Sequence, residues 1–94
     1  MAETRITHDP DRQRFETEVD GHLAHADYEL RDQVMHFTST QVPSEIGGRG
    51  IAGKLVRYGM DYAREHGYEV VPACSYVAAW LERHPEYQDL RHAD

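Results

Sequence analysis

The stretch "PSEIGGRGIAGKL", which runs from Pro43 to Leu55, decides the fold of this chain. It holds four glycines between Gly47 and Gly53, and the residues that follow have the apolar spacing of a long helix. Glycine weakens a helix, so a glycine cluster at a helix start indicates a functional requirement that outweighs this cost in stability. Phosphate binding is such a requirement, because the first amide groups of a helix have no partner inside it and the helix dipole favours an anion.

Two common phosphate motifs can be laid over this stretch, and neither fits its surroundings. Residues 48–53 match the G-x-G-x-x-G of dinucleotide-binding loops, and residues 48–54 match the start of a nucleoside-triphosphate loop. The triphosphate loop needs Ser or Thr after its lysine to hold magnesium, but Leu55 stands there. A dinucleotide loop follows the first strand of a parallel sheet and precedes a strand that ends in an acid, whereas the next strand-like segment here ends in Val71-Pro72. We therefore reject both motifs.

A third pattern, [QR]-x-x-G-x-[GA], fits residues 47–52 at Gly50 and Ala52. In this respect the stretch resembles the loop with which GCN5-related N-acetyltransferases bind the pyrophosphate of acyl-CoA, although Gly47 stands where Arg or Gln is usual. The alternative is a glycine-rich loop that only turns the chain. Lys54, Arg49 and Arg57 cluster near the helix start and are candidates for the 3′-phosphate of CoA, and the alternative is a solvated face, which is favoured for Arg57. The resemblance implies a cofactor-binding run that consists of Gly48, Arg49, Gly50, Ile51, Ala52, Gly53 and Lys54.

The residues before the loop predict three strands in an antiparallel meander. Apolar and polar residues alternate at 13–19 and 22–30, and the segment 33–42 is rich in β-branched and aromatic residues. Asp20-Gly21 is a strong hairpin signal, and Arg31-Asp32 is expected to form a second short turn.

The residues after the loop predict a helix, a strand and a last helix. The first helix is expected from Gly50 to His66, with Gly67 as its C-terminal cap. A short interior strand at 68–72 follows, and then a helix that Ser75 caps and that stops before Pro85. The order β-β-β-α-β-α predicts an α+β fold, and the lack of a linker or repeat predicts a single domain over residues 1–94.

The resemblance to the GCN5-related N-acetyltransferases spans nearly the whole chain. It is strongest for their small, single-domain branch, the YjdJ-type or NATD1-like domains, whose pattern is roughly T-x-V-P-x-x-x-x-G-x-G-[IL]-[AG], a helix, V-[VI]-P-x-C-x-[FY]-V and R-[HN]-P-x-[YW]. The resemblance implies a minimal form of that fold, acetyl-CoA or CoA as the ligand, and an acetyl group passed directly to an amine. It also implies that Thr40, Gln41 and Val42 offer a strand edge to the pantetheine arm. The matching residues are Thr40, Val42, Pro43, Gly48, Gly50, Val71, Pro72, Cys74, Tyr76, Val77, Arg83, His84, Pro85 and Tyr87.

Two residues bear on catalysis. Many relatives read H-T-E-V-P before the loop, but Gln41 stands here in place of the acid, and an amide cannot act as a general base. Cys74 is the candidate catalytic residue, because it lies just before a predicted helix whose dipole can lower a thiol pKa. It would lie near the thioester, as a polarising group or an acyl acceptor, and the alternative is a small buried structural cysteine.

Composition excludes several classes of function. The net charge of −7 argues against nucleic acid and against an anionic membrane surface, and it suits a cationic acceptor such as an amine or a lysine side chain. A single cysteine cannot form an internal disulfide, and the first residues have no signal-peptide core, so we expect a cytoplasmic protein. The seven histidines have no metal-ligand spacing, so we expect no metal, although His36 could relay protons.

Two functions are therefore open. The first is an N-acetyltransferase that uses acetyl-CoA. The second is a CoA-binding or protein-interaction module with little catalysis, which the short length of 94 residues and the loss of the acid at Gln41 favour slightly.

Overall fold

The computed structural model describes residues 4–93. Its strands are β1 (Thr7–Asp9), β2 (Arg14–Val19), β3 (His22–Arg31), β4 (Val34–Gln41) and β5 (Glu69–Pro72). Its helices are α1 (Ile51–His66) and α2 (Ser75–Arg83), and two 3-10 segments cover Ser44–Ile46 and Pro85–Leu90. Within residues 4–93, no helix is both long enough and apolar enough to cross a membrane.

The five strands form one sheet in the order β1-β2-β3-β4-β5. Neighbouring strands are antiparallel, except that β4 and β5 run parallel and are joined by the α1 crossover. The predicted turn at Asp20-Gly21 is confirmed, since φ is 51° at Asp20 and 79° at Gly21, the left-handed values that a two-residue hairpin needs. The mixed sheet and its helices confirm the predicted α+β fold.

Two strand features differ from the prediction. β1 was not expected, because three residues are too few for an alternating pattern, and it is placed by its pairing with β2. β5 is not interior but lies at the sheet edge, where only β4 pairs with it along its length and a single bridge joins Val70 to Arg91.

Two boundaries also shift by one residue. The second turn lies at Asp32-Gln33 rather than Arg31-Asp32, with φ values of 51° and 66°, because β3 continues through Arg31. Cys74 rather than Ser75 is the N-cap of α2, since Cys74 keeps an extended backbone and Ser75 is already helical. The predicted cap at Gly67 is confirmed, with a φ of 72°.

Both helices share one hydrophobic core with a single face of the sheet. Gly59 allows α1 to lie close to that face, because a Cβ there would be 2.9 Å from the Phe37 ring and 3.0 Å from the Phe15 ring. The buried sheet residues alternate along the strands as a half-buried sheet requires, and they are Phe15, Thr17, Ala24, Ala26, Tyr28, Met35, Phe37 and Val70.

The other face of the sheet, which we call the open face, has no buried side chain among residues 4–93. The strand registers place charged and polar side chains there, and its central members are Arg14, Glu16, His25, Asp27, Ser39 and Gln41. A molecule that approaches this face from solvent therefore contacts the side chains of the strands directly.

The residues after α2 fold back across α1. The Tyr87 hydroxyl donates a hydrogen bond of 2.6 Å to Asp61 of α1. The guanidinium of Arg57 lies 5.5 Å from the centre of the Trp80 ring and 5.4 Å from that of Tyr87. These contacts hold α2 beside the first half of α1, next to the glycine loop.

Candidate functional site

The start of α1 presents a row of backbone donors. Gly50 is the N-cap, with φ 75° and ψ 16°, and the first helical hydrogen bond runs from the Lys54 amide to the Gly50 carbonyl at 3.2 Å. The amide groups of residues 50–53 precede that bond, and a helix offers no acceptor of its own to these first amides. A Cβ at Gly48 or Gly50 would meet nothing within 4 Å, so open space lies beside these donors. The arrangement suits an anion such as a diphosphate.

The two cations of the loop have different partners. The Arg49 guanidinium lies 2.7 Å from the carboxylate of Asp20, in the β2–β3 turn. Lys54 donates to the hydroxyl of Thr4 at 3.3 Å, which leaves its charge unbalanced by any carboxylate in the described chain. Lys54 is therefore the better candidate for a phosphate, while Arg49 must first leave Asp20.

The remaining loop residues contribute backbone rather than side chains. The Ile51 side chain is buried in the core, and Ala52 is half-buried. A Cβ at Gly53 would lie 3.5 Å from the Tyr76 hydroxyl and 3.7 Å from the Trp80 indole nitrogen of α2. These are ordinary van der Waals distances, so the packing of α1 against α2 does not require a glycine at position 53.

The strands β4 and β5 part beside this loop. Their pairing runs from Val34 with Glu69 to Phe37 with Pro72, and β4 then continues to Gln41 without β5. At the same point β4 has a bulge, because Tyr28 pairs with Phe37 but Asp27 pairs with Ser39. The edge of residues 38–41 on the β5 side therefore has no strand partner in the described chain, and it can pair with an extended ligand.

The bulge separates the three predicted pantetheine contacts. Thr40 pairs with Ala26, so its side chain lies on the core side of the sheet, whereas Gln41 pairs with His25 and lies on the open face. There the Gln41 amide donates to the Ser39 hydroxyl at 3.1 Å. Val42 follows the strand and packs partly buried against the core. Only Thr40 therefore points toward Cys74.

Cys74 lies across the gap from the end of β4. Its amide donates to the Phe37 carbonyl at 2.8 Å, and its sulfur is 3.7 Å from the Thr40 hydroxyl. Partial burial raises the pKa of the Cys74 thiol, but hydrogen bonds from the Val77 amide and the Thr40 hydroxyl outweigh that effect. The net pKa lies below the ordinary value, as at other helix N-termini.

The other titratable candidates lie elsewhere. His36 is on the open face opposite Glu29, at the end of β4 where β5 is still paired, so the structure does not bring it to Cys74. Among residues 4–93, no group of three or more His, Cys, Asp or Glu side chains could hold a metal ion. The contact between Thr40 and Cys74 joins residues 34 positions apart, so no local pattern could have shown it.

Known proteins resemble this chain over most of its length. The family model described as GCN5-related N-acetyl-transferase matches residues 14–90. Protein NATD1 of Gallus gallus is 28% identical over 91 residues, which are 94% of this chain and 83% of that protein. Protein NATD1 of Xenopus tropicalis is 29% identical over 89 residues, which are 92% and 82% of the two chains.

A solved structure agrees with these matches. The NMR solution structure of a GCN5-like protein from Staphylococcus aureus aligns with a TM-score of 0.77 at 27% identity, over 100% of this chain and 93% of that one. The matched region includes the glycine loop, the parting strands and α2. The chain belongs to the GCN5-related N-acetyltransferase family, in its small NATD1-like branch.

Proposed function

We propose that this protein binds acetyl-CoA and transfers the acetyl group directly to an amine. The observation that carries the proposal is the glycine-flanked start of α1, where the first helical amides, those of residues 50–53, have no acceptor inside the helix, next to the β4 edge at residues 38–41, which has no strand partner in residues 4–93. One feature suits the pyrophosphate of CoA and the other suits its amide-containing pantetheine arm.

The proposed binding mode assigns a part to each predicted residue. The amides of residues 48–53 donate to the pyrophosphate, and Lys54 offers its ammonium group to a phosphate. The backbone of residues 40–42 pairs with the pantetheine arm. Binding therefore does not depend on which face of the sheet each side chain takes, the core side for Thr40 or the open face for Gln41. The thioester would then lie between the end of β4 and Cys74.

The proposed chemistry is mainly positioning. The amine nitrogen attacks the thioester carbonyl carbon, the C–S bond breaks, and CoA leaves as a thiolate that takes up a proton. Backbone amides of residues 38–41, on the β4 edge that has no β5 partner, polarise the thioester carbonyl as negative charge develops on its oxygen. Cys74 and Thr40 line this point, and Cys74 acts there as a neighbour of the leaving sulfur rather than as an acyl carrier.

Titration with CoA tests the binding site. We expect the largest amide NMR shift changes between Arg49 and Lys54, because the proposed amide donors lie there and the Lys54 ammonium group is the proposed phosphate contact. ATP with magnesium and NAD should bind much more weakly, since Leu55 offers no hydroxyl for magnesium and Val71-Pro72 offer no acid for a ribose. Shift changes confined to the β2–β3 hairpin, or micromolar ATP binding, would contradict the proposal.

Cys74→Ala tests the mechanism. We expect CoA affinity to be kept and turnover with an amine panel to fall only a few-fold, because the thiol is not the acyl carrier. In the wild type, alkylation of the thiol should proceed at lower pH than for a free cysteine, since its pKa is lowered, and bound CoA should protect it. Thr40→Val is the matched control, because loss of the hydroxyl should move alkylation to higher pH.

An acetylated Cys74 would overturn direct transfer. It would be detected by mass spectrometry after brief mixing with acetyl-CoA, and it would discharge on addition of an amine. Turnover would then vanish in Cys74→Ala.

A second candidate function is a CoA-binding module without turnover. The observation in its favour is Gln41, which replaces the acid of many relatives and cannot titrate. CoA binding without acetyl transfer to any amine of a broad panel would favour this candidate over the enzyme.

A further inference from the structure

We propose that His25, held in place by Asp27, is the general base that removes a proton from the acceptor amine. The inference rests on the acetyl transfer proposed above. It assigns the proton transfer, for which the position of Gln41 offers no titratable group.

The two side chains form an oriented pair. His25 Nδ1 lies 2.8 Å from Asp27 Oδ1. An ionised carboxylate can only accept a hydrogen bond, so Nδ1 carries the hydrogen and the neutral ring keeps its lone pair on Nε2. The side chains are 18% and 26% exposed, so packing restricts the ring while solvent and small molecules still reach it.

The pair lies on β3, opposite the residues of β4 at which β4 and β5 separate. His25 is the cross-strand partner of Gln41, and Asp27 is the partner of Ser39, so all four side chains share the open face. Ser39 and Gln41 belong to the stretch of β4 that has no β5 partner on its other side in the described chain. An amine that comes from the open face therefore meets His25 at the stretch where the thioester would be held from the core side by Thr40 and Cys74.

The charges around the pair suit a cationic amine. On β2, Glu16 is the partner of His25, and Arg14 is the partner of Asp27. Arg14 Nε lies 3.4 Å from Asp27 Oδ1, so its charge balances that carboxylate, while Glu16 is 3.9 Å from the same guanidinium. The β4 neighbours Ser39 and Gln41 are neutral. Among residues 4–93, no side chain on this face is buried. The carboxylates of Glu16 and Asp27 thus share one guanidinium, and the net negative charge of the three groups can attract an ammonium group to His25.

The proton balance is simple. The alkylammonium gives one proton to His25 Nε2, which passes it to water, and the neutral nitrogen then forms the C–N bond. The C–S bond breaks, and the thiolate of CoA accepts the second proton that the nitrogen loses. The products are the acetamide, CoA thiol and one proton released to solvent.

The test compares two acceptors that differ in their need for a base. Butylamine is an ammonium ion at neutral pH, whereas hydroxylamine is already unprotonated. In His25→Gln we expect acetyl transfer from acetyl-CoA to butylamine to fall by roughly a hundredfold or more, as for other general bases. Transfer to hydroxylamine and the affinity for CoA should change less than about threefold, because the amine is neutral and the CoA contacts are untouched.

Two further variants complete the design. Asp27→Asn should lower the butylamine rate by roughly tenfold with little effect on hydroxylamine, because an amide can also donate to Nδ1 and so no longer fixes the ring. His36→Gln is the matched control, since His36 lies on the same face where β4 and β5 are still paired, and both rates should be unchanged.

The possible results separate the two proposals. If His25→Gln loses both activities equally, or neither, His25 is not the base. If the wild type acetylates hydroxylamine but does not accelerate the butylamine reaction, no base operates and the inference is wrong, although transfer stands. If the wild type neither binds acetyl-CoA nor acetylates hydroxylamine, the proposed function itself is wrong.

Discussion

Gly50→Val should lower the affinity for CoA at least about a hundredfold, which is about 2.8 kcal/mol of binding free energy. A side chain at Gly50 would occupy the open space beside the helix donors, where we propose that the pyrophosphate binds. Several charge-assisted hydrogen bonds would be lost together, each of which contributes about 1.5–3 kcal/mol. Calorimetric titration of the variant with CoA measures the change.

Gly67→Val is the matched control for this variant. Gly67 ends the same helix with a φ of 72°, against 75° for Gly50, and a Cβ at either position meets nothing within 4 Å. Both substitutions should therefore cost about 1–2 kcal/mol of unfolding free energy through left-handed backbone strain. Only Gly50→Val should lose CoA. Equal CoA affinities in the two variants would show that the pyrophosphate does not bind at the start of α1.

Gly59→Ala should destabilise the fold by about 1–3 kcal/mol, although alanine is the better helix former. The added methyl would lie 2.9 Å from the buried Phe37 ring and 3.0 Å from the Phe15 ring, so α1 must move away from the sheet. For a chain of this size, each kcal/mol lowers Tm by about 4–8 °C. Thermal unfolding followed by circular dichroism measures the shift.

Gly53→Ala offers the same chemical change in the same helix with a different environment. Its Cβ would make ordinary contacts of 3.5 Å with Tyr76 and 3.7 Å with Trp80. The variant should be as stable as the wild type or gain up to about 1 kcal/mol from helix propensity. A Tm for Gly59→Ala at or above that of Gly53→Ala would show that the helix does not lie so close to the two rings.

The sequence predicted those parts of the site that local spacing determines. The glycines between Gly47 and Gly53 and the apolar period after them located the start of α1 to within one residue. The cap at Gly67 and the Asp20-Gly21 turn followed from the φ values that glycine permits. These features depend on neighbours in the chain, so a single sequence suffices for them.

The faces of β4 could not be predicted in this way. A strict period of two would place residues 39 and 41 on the same side as Met35 and Phe37. The bulge inserts one residue, so Thr40 takes the core side and Gln41 the open face. Neither the contact of Thr40 with Cys74 nor the pairing of His25 with Gln41 can be read before this register is known, because both depend on distant segments.

The parallel pairing of β5 also affects how the protein folds. Two-residue turns join β2, β3 and β4, so this meander needs only short loop closures to form. β5 reaches β4 only after the 16-residue helix α1 has been placed across the sheet, which is a contact between distant parts of the chain. We therefore expect the meander to form early and β5 with α2 to dock last, so the proposed CoA cleft would be the last part of the molecule to assemble and the first to open on partial unfolding.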